Sequence, residues 1–91
     1  MCTYATLQTA LDGSAKGPEG KWFHVTDGTV YFDHPVHAMA DHTLNIDFAD
    51  PARGPGARVA VELTAASARE LAQAIEDALA SAPAEMTGLA A

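Results

Sequence analysis

The chain has 91 residues, 48% of them hydrophobic and 19% charged, with a mean hydropathy of +0.00, a composition that fits one folded domain rather than a disordered or membrane-spanning segment. Its net charge is −7, and Lys16, Lys21, Arg53, Arg58 and Arg69 are scattered. Neither a nucleic-acid backbone nor an anionic membrane surface therefore finds a basic footprint, and no apolar run approaches the roughly 18 residues of a membrane span.

A chain this short buries only about two-thirds of its unfolded surface, so pairing with a second copy would relieve a shortage of core, and a homodimer is expected. The opening MCTYATLQTALDG lacks the basic and continuously apolar regions of a secretory signal, which makes the cytoplasm the expected compartment. A single cysteine, Cys2, excludes an internal disulfide.

In chain order, CTYATLQTALD alternates Ala5, Leu7 and Leu11 against Cys2, Tyr4, Thr6 and Gln8, the period of a half-buried strand. GSAKGPEG (13–20) reads as a loop. KWFHVT and TVYFDH flank Asp27-Gly28, a dipeptide that predicts a tight hairpin with a type I′ turn. HTLNIDF (42–48) and ARVAVELT (57–64) alternate again and are separated by the breaker ADPARGPG. These make five predicted strands.

TAASARELAQAIEDALAS then changes to helical period, with Ala68, Leu71, Ala72, Ile75, Ala78 and Leu79 in one stripe behind a Thr64 cap. Pro83 ends it, and residues 84–91 read as a flexible tail beyond a single domain spanning 1–83. The predicted fold is α+β: a five-stranded, mostly antiparallel sheet with one C-terminal helix packed on one face.

A hairpin at Asp27-Gly28 fixes the register. It places Val25 opposite Val30 and His24 opposite Tyr31, and a second antiparallel connection pairs Phe32 with Leu44 and Val30 with Ile46. Phe23, Val25, Val30, Phe32, Leu44, Ile46, Phe48, Val59, Val61 and Leu63 then form the apolar face beneath the helix. The opposite face carries Trp22, His24, Tyr31, Asn45 and Asp47, extended by Tyr4. One helix cannot cover both sides of such a sheet, so this aromatic and polar surface is a candidate ligand or dimer face, or else an ordinary wet face.

FDHPVHAMADH (32–42) holds three of the four histidines. The register sets His34 opposite His42, with Cβ atoms roughly 4.5–5.5 Å apart, near enough for both imidazoles to reach one metal at about 2.0–2.1 Å. His37, in the intervening loop, is the third candidate ligand. Asp33 or Asp41 is placed to hold the second imidazole nitrogen, as liganding histidines require. The spacing H-x2-H-x4-H is no established zinc signature, and a polar loop at a sheet end can also hold histidines as caps and donors. Cys2 is an additional candidate ligand if removal of Met1 exposes its amine and thiolate, against the plainer reading of an inert thiol.

Together MCTYAT, TVYFDHPVHAMADHTLNIDF, ARGPGARVAVELT and ARELAQAIEDAL resemble a family of short uncharacterised bacterial proteins with the same layout. The resemblance implies a free-standing protein beginning at Met1-Cys2, and no activity comes with it. The leading functional expectation is a small protein that binds zinc or another divalent transition metal through His34, His37 and His42, in the form of a metalloenzyme or a metal-dependent accessory factor. The alternative is a non-catalytic homodimeric module that binds a small molecule or assembles through the Trp22, His24 and Tyr31 face.

Overall fold

A computed structural model of the protein describes residues 4–89. Four strands, β1 (Thr6–Lys16), β2 (Trp22–Asp33), β3 (Thr43–Ala49) and β4 (Arg58–Leu63), form an antiparallel sheet in the order β1-β2-β3-β4. Helix α1 (Ala65–Ser81) follows, then a single helical turn, α2 (Ala84–Thr87), within the stretch read from the sequence as a tail. The α+β class and the antiparallel sheet are as expected. The strand count is four rather than five.

The missing strand is accounted for at Asp27-Gly28. No hairpin forms there: both residues lie inside β2, paired to Ala10 and Thr9 of β1 on one side and to Ala49 and Phe48 of β3 on the other. A type I′ turn needs positive φ at both central residues, and neither Asp27 nor Gly28 has it. Gly28 serves close packing instead. A Cβ built on it would stand 2.8 Å from Leu11 Cδ1, so the Leu11 side chain crosses the strand where Gly28 leaves room. The actual first hairpin turn is Gly17–Lys21, overlapping only the second half of the predicted loop (13–20), whose first half, Gly13–Lys16, continues β1; Gly17 N–H donates to the Lys21 carbonyl at 2.7 Å and the chain reverses through positive φ at Glu19 and Gly20.

The apolar pattern does change phase across Asp27-Gly28, from odd positions (Phe23, Val25) to even ones (Val30, Phe32). A straight strand would put these pairs on opposite faces. The β1–β2 register shifts by one between Ala10 and Gly13, so Leu11 and Asp12 together oppose Thr26. This bulge strengthens the local twist. Phe23 and Val25 come to lie against Phe48 and Val59 and, with Ala57, form the buried hydrophobic core.

Beyond the bulge the register agrees with the sequence reading: Phe32 pairs with Leu44 and Val30 with Ile46, while Ile46 and Phe48 meet Val61 and Val59. Helix α1 begins where Thr64 Oγ1 accepts from the Ser67 amide at 3.2 Å, the cap expected from its sequence. Its stripe of Ala68, Leu71, Ala72 and Ile75 faces Val30, Phe32, Leu44 and Ile46 across an open groove of about 440 Å³. The helix stands off the sheet: none of its residues is buried, and Leu71, Ile75 and Leu79 keep 43%, 52% and 45% of their surface exposed.

Candidate functional site

Where β2 ends and β3 begins, the antiparallel register continues one step past the paired residues Asp33 and Thr43. His34 and His42 are thereby set side by side, their ring centroids 4.3 Å apart and the rings tilted by 33°. His42 also stacks on Phe32 at 5.8 Å, with planes 11° apart, and meets the edge of Tyr4 at 6.5 Å. His42, in the alternation of Leu44 and Ile46, lies beside Phe32, while His34 also borders the pocket of the polar face with Tyr31, Asn45 and Glu62.

Asp41 organises both rings. Its backbone carbonyl lies 3.0 Å from His34 Nδ1, and its Oδ2 lies 2.9 Å from His42 Nδ1. A carbonyl or carboxylate oxygen can only accept, so each Nδ1 carries the hydrogen and each neutral ring keeps its lone pair on Nε2. This is the orientation in which imidazoles ligate metals, with the far nitrogen held by an oxygen. His42 Nε2 is buried and has no hydrogen-bond partner, a condition that costs about 1–3 kcal/mol when it persists. Among the described residues, His34, Asp41 and His42 are the one group able to present three metal-ligating atoms within 4.8 Å of one another. The two imidazole ligands of a tetrahedral ion stand roughly 3.4 Å apart when each bond is about 2.1 Å.

His37 does not join them. Its loop segment is fixed by Glu62 of β4, whose carboxylate accepts from three successive amides: Val36 N–H at 2.6 Å, His37 N–H at 3.1 Å and Ala38 N–H at 2.8 Å. These bonds, Val36 and Ala38 foremost, hold the Glu62 carboxyl below the ordinary value of 4.5, against a smaller opposing effect of desolvation. Asp33, proposed from sequence as an imidazole partner, instead accepts from the backbone amide of His34 at 2.7 Å. Cys2 lies outside the described residues.

The predicted Trp22, His24 and Tyr31 face is not assembled. That grouping required the hairpin, and within one continuous β2 the nine steps from Trp22 to Tyr31 span about 30 Å. Trp22 lies near the first turn under the Lys16 ammonium, which is 5.9 Å from its ring, and His24 Nε2 contacts the bulge residue Asp12 at 3.0 Å. Tyr31, Asn45 and Asp47 do share the polar face with Arg58 and Glu62. There Arg58 pairs with Asp47 at 2.6 Å, and buried Asn45 accepts from the Thr43 hydroxyl at 2.6 Å. Tyr4 lies instead 6.0 Å from Phe32, on the histidine side. Two contributors escaped the sequence reading: Tyr4 was assigned to the wrong face, and Glu62 carries no local signal of the loop it holds.

The fold and this site define a small α+β protein in which a four-stranded meander carries an imidazole pair just beyond the paired ends of its second and third strands. The chain belongs to a family of unknown function, DUF6295, whose model matches residues 1–88. No curated protein and no solved structure matches it. No helix among the described residues is long and apolar enough to cross a membrane.

Proposed function

We propose that this protein binds a divalent transition metal ion, with zinc the representative case, through Nε2 of His34 and Nε2 of His42. The observation that carries the reading is the double use of Asp41, which turns both Nε2 lone pairs away from its own oxygens and leaves the one on His42 buried without a partner. An ion there would draw on a neutral nitrogen donor set suited to zinc, copper or nickel rather than to magnesium or calcium. Two imidazoles leave the remaining positions to water, since the Asp41 oxygens are engaged on the Nδ1 side of the rings. His37 is not a ligand in this reading, because it is not among the residues whose donor atoms converge with those of His34 and His42.

The test is metal analysis and thermal melting of protein purified without a histidine tag. Equimolar zinc should be retained through dialysis and should raise the melting temperature, since a ligand specific to the folded state stabilises it by mass action. His42→Ala should abolish the rise, while His37→Ala should leave it intact. An equal response of the native chain and His42→Ala would refute the site.

A further inference from the structure

The chain exposes more surface than a self-sufficient chain of this size should, and the apolar groove beneath α1 is part of it. A folded monomer of 9.5 kDa exposes about 5,000 Å², whereas this chain exposes 6899 Å². Its radius of gyration is 14.8 Å, against about 12 Å for a compact domain of 91 residues. Only Phe23, Val25 and Ala57 are buried hydrophobics among the described residues, while Leu7, Leu71, Ile75 and Leu79 remain open to solvent.

We infer that a second copy of this chain covers the groove, each protomer laying the apolar stripe of its α1 against the other's α1 and the sheet beneath it. Area selects this occupant. The excess of roughly 1,800 Å² over the whole chain leaves room for the ~800 Å² per partner of a standard interface, and the contacts of obligate homodimers resemble a domain core cut in half. A small molecule filling about 440 Å³ would cover only a few hundred Å². Closed two-fold pairs are also the commonest soluble assemblies. The inference moves the expected dimer contact from the Trp22 side to the opposite face, and it is independent of metal at the imidazole pair.

Sedimentation equilibrium across nanomolar to high-micromolar concentrations tests it. The native chain should be a dimer. Ile75→Glu enters a two-fold contact twice and should weaken association by about 100-fold or more, because a carboxylate buried without a partner is strongly disfavoured. Trp22→Glu, placed away from the groove, should remain dimeric. To guard against misfolding of Ile75→Glu, hydrogen exchange is followed on the native chain alone, where protection of the α1 amides should rise with protein concentration. A native monomer, protection of α1 that does not depend on concentration, or a dimer dissociated by Trp22→Glu and not by Ile75→Glu overturns the inference.

Discussion

Two ends of one sheet face meet the same problem differently. At the end near the first turn, the β1–β2 hairpin curls over and delivers Phe23 and Val25 onto Phe48, Val59 and Ala57, so the apolar surface closes within the chain. At the other end, Val30, Phe32, Leu44 and Ile46 face a helix that keeps its distance. The residue types hardly differ between the two. What differs is the device that folds one layer onto the next: a bulge and a glycine at the closed end, and only the short β4–α1 junction at the open one. Apolar patterning establishes which face is buried, and backbone irregularity decides whether the chain can bury it alone.

Substitutions at the two ends should separate them. Phe23→Ala removes the largest side chain of the closed core and should lower stability by about 3–4 kcal/mol, measured by urea unfolding; a loss as small as that of a surface residue would mean that the closed end is not the principal core. Leu71→Ala, in the open groove, should cost about 1 kcal/mol or less at dilutions where chains are separate, since 43% of the residue's surface is exposed there. At high concentration the proposed pairing would bring that cost toward the core value. A cost that ignores concentration would break the contrast between the ends.

The smallest expected effect concerns the loop that carries the histidines. Glu62 has a folded value below its unfolded one, so its contribution is present above the ordinary carboxylate range and is lost as pH falls through the depressed folded value. Proton NMR should show the Val36, His37 and Ala38 amides strongly downfield at neutral pH and shifting together in acid. In Glu62→Gln the same amides should stay insensitive to pH over that interval, with little change in the melting temperature.

Much of this was legible in the sequence wherever one periodicity ran uninterrupted. The pairing of Val30 and Phe32 with Ile46 and Leu44, the opposition of His34 and His42, and the Thr64 cap all follow from local alternation or local hydrogen-bonding chemistry. The largest error has one origin. Asp27-Gly28 carries the strongest short-range turn signal in the chain, yet extended pairing on both sides of β2 outweighs a dipeptide preference. Placing Trp22 beside Tyr31 failed as a direct consequence. Glu62 was invisible for another reason: a carboxylate that gathers three amides from a loop more than twenty residues earlier is a tertiary fact with no sequence period.

The bulge at Leu11 and Asp12 has an effect on the outer side of the sheet as well. Strand β1 is an edge of 11 residues, and an unpaired edge of that length is a template on which further chains can add strand to strand. The extra residue interrupts that template after Ala10. Asp12, with 97% of its side chain exposed, puts a carboxylate at the break. Five residues of regular ladder, Thr6 to Ala10, then remain before the rhythm of free amides and carbonyls is lost. Open-ended fibrous growth by strand addition is discouraged along this edge of the sheet.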